Sequence, residues 1–219
     1  MKAALLDALG TLVELERPWP YLVAELRARG VAVSEEDARR AMLAEMAYHK
    51  RRHDDARDFA GLKDLRRRCA GIVRAELRTA LPVEDVEDAM LAAIRFRPYP
   101  EVPGVLAALG ARGVVRVVVS NWDISLHDVL ERTRLRPLLD AVVTSAEFGA
   151  AKPDPTIFRH ALGLAGATPA EAVHAGDDVE ADVEGARAAG IAAVLVARDG
   201  MEPPPGVRTV RTLDALLAG

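Results

Sequence analysis

The sequence predicts an α/β fold in which a doubly wound, Rossmann-like parallel sheet carries an inserted all-helical cap. From about residue 98 onward, strands without polar alternation alternate with helices along the chain, which is typical of a parallel sheet covered on both faces. One further apolar strand, residues 3–6, lies far upstream, and the stretch between carries helical patterns almost throughout. The predicted domains are therefore a core of residues 1–14 and 98–219 and a cap of residues 15–97.

Local patterns predict the elements in chain order. In the cap, Gly30 ends a first helix and Ser34 caps a second, and two more helices are favoured over residues 62–77 and from residue 83. Three prolines at residues 203–205 predict a stiff surface loop. The elements predicted for the core are helix 102–112, strands 114–119 and 141–144, helix 154–162, strand 172–175, helix 181–189, strand 192–196, a weaker strand 207–210 and a last helix 213–217.

Composition limits the partners that the chain is expected to have. A net charge of -4 argues against nucleic acid. No apolar run approaches the roughly 18 to 20 residues that span a bilayer, and the short apolar start ends at Asp7, unlike a signal peptide. The single cysteine, Cys69, cannot form an internal disulfide. We therefore expect a cytoplasmic protein, a monomer or homodimer, without a nucleic-acid or membrane partner.

Polar residues follow several of the predicted strands, at the edge where ligands bind in such sheets. Asp7 ends the first strand and is the candidate nucleophile, with Thr11 in a position to bond the turn and hold its rotamer. Ser120 and the backbone near Asn121 offer donors for a phosphate oxygen, and Lys152 offers a positive charge. Each signal alone is common in turns and helix caps, but the ordered combination predicts a catalytic site.

Carboxylates gather at the same predicted edge. Asp177, Asp178 and the supporting Asp182 add three acids near Asp7, and they cannot all ionise in one cleft without a cation. Oxygen ligands of this kind favour Mg²⁺. The predicted metal ligands are Asp7, Asp177, Asp178 and the backbone carbonyl of Leu9.

The ordered set resembles the haloacid dehalogenase superfamily, with a helical cap inserted after the first motif. The resemblance rests on the runs at residues 7–12 (DALGTL), 119–121 (VSN), 152–158 (KPDPTIF) and 176–190 (GDDVEADVEGARAAG). It implies that Asp7 is nucleophile and metal ligand, that Ser120 and Lys152 contact phosphate, and that Asp177 holds metal. The run SNWD at residues 120–123 looks most like a phosphatase-like subgroup whose members mostly lack assigned substrates.

Leu9 departs from the family's phosphatase pattern, which places a general acid/base at this position. Such a group is worth roughly 10²–10⁴-fold in rate. We predict a Mg²⁺-dependent phosphatase that acts on a small phosphorylated metabolite through an aspartyl-phosphate. One alternative is a 2-haloacid dehalogenase, which also lacks the acid but does not keep the acidic metal-binding run. Another is a catalytically impaired phosphate-binding or regulatory protein. A third, cleavage of a carbon–phosphorus bond, needs a cap lysine, and only Lys50 and Lys63 are available.

Other residues of these types predict structure rather than chemistry. His49 and His53 are four residues apart, as a metal pair is, but basic neighbours favour a solvated face. His174 is expected to pack in a core strand, and Cys69 to lie buried in a helix.

Overall fold

The computed structural model describes residues 1–198 and 205–218. It divides into two compact units, one formed by Met1–Glu14 with Pro98–Gly219 and the other by Leu15–Arg97. Pro203 and Pro204, in the predicted proline loop, lie outside the described residues. No helix among the described residues is long and apolar enough to cross a membrane.

The elements have the following bounds. The strands are β1 (Ala3–Leu6), β2 (Val13–Leu15), β3 (Phe96–Pro98), β4 (Val115–Ser120), β5 (Ala141–Thr144), β6 (Ala172–Gly176), β7 (Ala192–Val196) and β8 (Thr209–Val210). The α-helices are α1 (Pro18–Ala28), α2 (Glu35–Arg52), α3 (Phe59–Leu77), α4 (Val83–Ala93), α5 (Val102–Ala111), α6 (Ser125–Arg132), α7 (Ser145–Phe148), α8 (Pro155–Ala165) and α9 (Gly185–Ala188). A π-helical segment, Val179–Glu184, precedes α9, and Leu213–Leu216 is a 3₁₀ turn.

The core unit is built on a parallel six-stranded sheet with the order β5-β4-β1-β6-β7-β8. The predicted fold class is confirmed. In the register, Leu6 lies opposite Val118 of β4 and Ala175 of β6, so the three strands reach the same edge together. Asp7, Ser120 and the residue after Gly176 therefore meet there, because each follows or ends one of these strands.

Close packing at one glycine brings α9 against the segment before α8. Asp154 caps α8 and Pro155 begins it, and its Phe158 is buried in the core. A Cβ on Gly185 would lie 2.9 Å from the Cα of Pro153 and 2.8 Å from the Phe158 ring. Since real Cβ atoms do not approach so closely, only glycine fits here. This approach holds the start of α9 beside the residues that follow Lys152.

The second unit is helical apart from strand residues at its ends. In this unit α1 packs against α2 and α4, and α3 packs against the same two helices. Ser34 and Asp58 cap α2 and α3 by accepting from backbone N–H groups three residues ahead. Cys69 is buried as expected, whereas His49 and His53 are half-buried rather than on a solvated face.

Some elements differ from the predicted ones. The predicted helix 181–189 is a π-helical segment joined to a short α-helix, and the predicted last helix is a single 3₁₀ turn. The predicted strand 207–210 is limited to Thr209–Val210. Strands β2 and β3, three residues each, are too short to produce an alternating pattern in the sequence.

Candidate active site

The sheet edge collects five of the predicted side chains. Asp7 follows β1, and its backbone N–H donates to the carbonyl of Ala175 at 2.9 Å, which continues the register beyond the strand. Ser120 ends β4, and Asp177 follows β6. Lys152 reaches the edge from the loop before α8, and Asp182 comes from the π-helical segment.

The Asp7 carboxylate accepts hydrogen bonds from two side chains. Its Oδ1 accepts hydrogen bonds from Ser120 Oγ at 3.0 Å and from Lys152 Nζ at 2.6 Å. Oδ2 accepts from neither of these side chains. The residue is only 6% exposed. Burial raises the pKa of Asp7, the charge of Lys152 opposes that rise, and the charge of Asp182 adds to it.

Lys152 bridges two buried carboxylates. Its Nζ donates to Asp7 Oδ1 and to Asp182 Oδ1, both at 2.6 Å. Burial disfavours the ammonium charge, but the two carboxylates outweigh this and raise the pKa of Lys152. The lysine therefore carries a positive charge in this site.

Asn121 fixes the backbone of Lys152. Its Nδ2 donates to the Lys152 carbonyl at 2.8 Å, and its Oδ1 accepts from the Lys152 backbone N–H at 2.7 Å. The predicted contact to substrate involved the backbone beside Asn121, whereas the side-chain amide acts on the lysine. Sequence gives little signal for this pair, because the two residues are 31 positions apart.

Asp182 and His174 complete a buried chain of ionisable groups. Asp182 Oδ1 also accepts from His174 Nε2 at 2.8 Å, and Oδ2 accepts from the Asp178 backbone N–H at 3.0 Å. Burial alone would raise the pKa of Asp182, but Lys152 and His174 outweigh it and hold that pKa well below its usual range. His174 was expected only to pack. A polar residue in a wholly buried strand was the available signal that it has a partner.

The acidic cluster fits a divalent cation. Asp7, Asp177 and Asp182 each offer one oxygen, and these oxygens lie within 4.8 Å of one another. Burial, together with the charges of Asp7 and Asp182, raises the pKa of Asp177 to about 7. A carboxyl group with so high a pKa has too little positive charge near it to stabilise its ionised form. A cation would supply that charge, and oxygen donors of this kind are the ligands that Mg²⁺ prefers.

Asp178, a predicted metal ligand, lies outside this cluster among the described residues. Its Oδ1 accepts from the Ala181 backbone N–H at 2.8 Å, so the carboxylate caps the π-helical segment. Asp182, predicted as a supporting residue, takes its place in the cluster. The physical reason is that Asp178 is exposed at the end of the loop, whereas Asp182 points into the core.

The loop after Asp7 departs from expectation at Thr11. Its buried hydroxyl has no hydrogen-bond partner among the described residues, so the predicted bond to the turn is absent. The Leu9 side chain is 44% exposed. Gly10 has φ +78°, and a Cβ there would lie 2.0 Å from Asp177 Oδ2. Glycine is therefore required where this loop passes the acidic cluster.

Known proteins with similar sequences are hydrolases by name. The family model described as haloacid dehalogenase-like hydrolase matches residues 1–190. Haloacid dehalogenase-like hydrolase domain-containing protein 3 of Mus musculus is 33% identical over 209 residues, 90% of this chain and 81% of that protein. A phosphoserine phosphatase of Thermus thermophilus is 39% identical over 110 residues, 50% of this chain and 44% of that protein.

A solved structure extends the similarity to the whole fold. The HAD phosphatase of Thermococcus onnurineus has a TM-score of 0.68 and 26% identity, covering 100% of this chain and 97% of that chain. Some matches are partial, since the chain covers 36% of the length of the Bos taurus counterpart of the mouse protein. The family model nevertheless accounts for most of the sequence, and the chain belongs to the haloacid dehalogenase-like hydrolases.

Proposed function

We propose that the chain hydrolyses a small phosphorylated metabolite, with Mg²⁺, through a phosphoryl group carried on Asp7. The observation that carries the proposal is the hydrogen bonding of the Asp7 carboxylate. Ser120 and Lys152 bind its Oδ1, Oδ2 accepts from neither of them, and the same carboxylate belongs to the acidic cluster. The Thermus thermophilus relative is named a phosphoserine phosphatase, which supports the same reaction class.

The reaction has two steps. In the first, Asp7 Oδ2 attacks phosphorus, the new O–P bond forms, and the bond from phosphorus to the leaving oxygen breaks. In the second, water attacks phosphorus and releases phosphate, which restores the carboxylate. Ser120 and Lys152 hold the nucleophile in place and supply donors to the phosphoryl oxygens.

The metal belongs to the same proposal. Asp7 and Asp177 would hold Mg²⁺, with the Leu9 carbonyl as a further donor, and the ion would supply positive charge to the phosphoryl oxygens. Lys152 brings one positive charge to two carboxylates, those of Asp7 and Asp182. A phosphate dianion therefore needs additional positive charge to enter this cleft.

Leu9 determines which leaving groups are favoured. An isobutyl side chain cannot donate a proton, so the leaving oxygen must depart as an anion or take its proton from water or from the substrate. Absence of a general acid costs roughly 10²–10⁴-fold in rate for a poor leaving group. We therefore expect phosphoesters with acidic leaving groups, or substrates that protonate themselves, to react fastest.

A phosphatase assay with nitrophenyl phosphate and Mg²⁺ tests the proposal. We expect turnover in the wild type and loss of about 10³-fold or more in Asp7→Asn, because an amide oxygen is a poor nucleophile. Asp128→Asn is the matched control, since Asp128 is an exposed acid on α6. Turnover in Asp7→Asn equal to that of the control would overturn the assignment of the nucleophile.

Leu9 also favours a second candidate, a 2-haloacid dehalogenase, because a halide leaves without a proton. The acidic cluster argues against it, since that reaction needs no cation. Release of halide from a 2-haloacid without metal, together with no phosphatase activity, would favour the dehalogenase. Binding of a phosphate analogue with no turnover of either substrate class would favour an impaired binding or regulatory protein.

A further inference from the structure

Arg198, just after β7, reaches back to the loop that follows the nucleophile. Its Nε donates to the Gly10 carbonyl at 3.0 Å, and its Nη2 donates to the Thr11 carbonyl at 2.5 Å. Nη1 pairs with Glu101 Oε1 at 2.8 Å, and Cζ lies 3.4 Å from the centroid of the Tyr99 ring. One guanidinium thus joins two backbone carbonyls, a carboxylate and an aromatic face.

The backbone bonds of this loop explain why two carbonyls need an outside donor. The N–H groups of Leu12 and Val13 donate to the Ala8 carbonyl at 2.8 and 2.9 Å, and the Gly10 N–H donates to the Val13 carbonyl at 2.9 Å. The N–H groups are therefore satisfied inside the loop. A side chain from a distant segment, Arg198, bonds the carbonyls of Gly10 and Thr11, 188 and 187 residues away in sequence.

The guanidinium itself is held firmly. Its planar fork bonds acceptors in fixed directions, and the face of Tyr99 and the carboxylate of Glu101 restrict its rotation. Tyr99 also donates its backbone N–H to the Leu12 carbonyl at 3.1 Å. Arg198 and Tyr99 therefore act on three consecutive carbonyls of the same loop.

The loop lies where a small shift would matter for chemistry. Gly10 packs so closely on Asp177 that no side chain fits between them. Asp7 begins the loop, and Asp177 belongs to the acidic cluster. A change in the path of the Gly10–Thr11 backbone would therefore alter the spacing between the carboxylates of Asp7 and Asp177.

We propose that Arg198 is a positioning residue for the nucleophile, acting through the carbonyls of Gly10 and Thr11. It bonds no reacting atom, and its effect is to fix the backbone of the loop that follows Asp7 and packs on Asp177. The effect on turnover rests on the proposed phosphatase function. The effect on the loop itself does not, and it is measured separately.

The first test compares Arg198→Met with Arg116→Met. Arg116 is the matched control, because its side chain is 16% exposed against 14% for Arg198, and it also joins a carboxylate, Asp140, to a backbone carbonyl, that of Leu106. Both variants should lose similar stability. Only in Arg198→Met should kcat fall, by about 10²-fold, with a much smaller change in KM, because a misplaced reacting group slows the chemical step. Equal kcat values in the two folded variants would overturn the proposal.

A second variant and a second readout cover the case in which Arg198→Met does not fold. Arg198→Lys keeps the charge beside Glu101 but cannot bond both carbonyls with a planar fork. It should fold, and its kcat should remain at least tenfold below wild type. Hydrogen–deuterium exchange over residues 8–15 should be faster in Arg198→Lys than in Arg116→Lys. Unchanged exchange there would refute the positioning role. If exchange is faster in Arg198→Lys but the wild-type protein has no phosphatase activity, the effect of Arg198 on the loop is upheld. The proposed function is then refuted instead.

Discussion

Replacing Lys152 with methionine removes the positive charge shared by two buried carboxylates. The ammonium bonds Asp7 and Asp182 at 2.6 Å each, and all three side chains are almost fully buried. Removing one partner of a buried ion pair costs about 3–5 kcal/mol, because the remaining charge is left uncompensated. We therefore expect the free energy of unfolding of the core unit to fall by about 3–5 kcal/mol at pH 8.

The loss of stability in Lys152→Met should be larger at high pH than at low pH. Lys152 lowers the pKa values of Asp7 and Asp182, so its removal raises both. A carboxyl group whose folded pKa exceeds its unfolded value stabilises the protein at low pH and loses that contribution as pH rises. The deficit of Lys152→Met relative to wild type should therefore shrink between about pH 8 and about pH 5, because Asp7, whose pKa burial already raises, then binds a proton.

Urea denaturation followed by tryptophan fluorescence measures this effect. The chain has two tryptophans, and in a Trp19→Phe background the buried Trp122 reports on the core unit alone. Lys63→Met is the control, since Lys63 is exposed on α3, and it should change the free energy of unfolding by less than about 0.5 kcal/mol. A loss below about 1 kcal/mol at pH 8, or an equal loss at both pH values, would refute the reasoning.

Two further predictions concern the metal and the missing acid. Because the pKa of Asp177 is raised to about 7, Mg²⁺ binding near pH 6 should release close to one proton, seen by calorimetry in buffers of different ionisation enthalpy. Asp177→Asn should weaken the binding at least tenfold and abolish the release, and unchanged binding would contradict the assigned site. Leu9→Asp should speed alkyl phosphates more than nitrophenyl phosphate, by up to about 10²-fold. An unchanged ratio of the two rates would mean that the proton comes from another residue.

The sheet and its catalytic edge were predictable because they depend on local patterns. A strand buried on both faces must be apolar throughout, as Ala3–Leu6 is, and parallel strands end at a common edge. The structure accordingly brings Asp7 and Ser120 together. Strands β2 and β3 were missed because three residues leave little periodic signal. Helix α6 was missed although Leu126, Val129 and Leu130 follow a helical spacing.

The partners within the site were less predictable because they depend on contacts between distant segments. No spacing rule connects Arg198 with Gly10, or Asn121 with Lys152. Residues 178 and 182 are both aspartates, and only the path of the π-helical segment decides which carboxylate turns inward. Side-chain direction at such a segment is set by packing rather than by local propensity.

Detection of a phosphoryl group on Asp7 tests the central claim most directly. The enzyme is mixed with nitrophenyl phosphate and Mg²⁺, quenched rapidly in acid, and digested for mass spectrometry of the peptide that contains Asp7. The account predicts one phosphoryl group on that peptide during turnover and none in Asp7→Asn. It also predicts that, in water labelled with heavy oxygen, the label enters the released phosphate and not the Asp7 carboxylate, because water attacks phosphorus. Turnover without phosphorylated Asp7, or label in the Asp7 carboxylate, would contradict it.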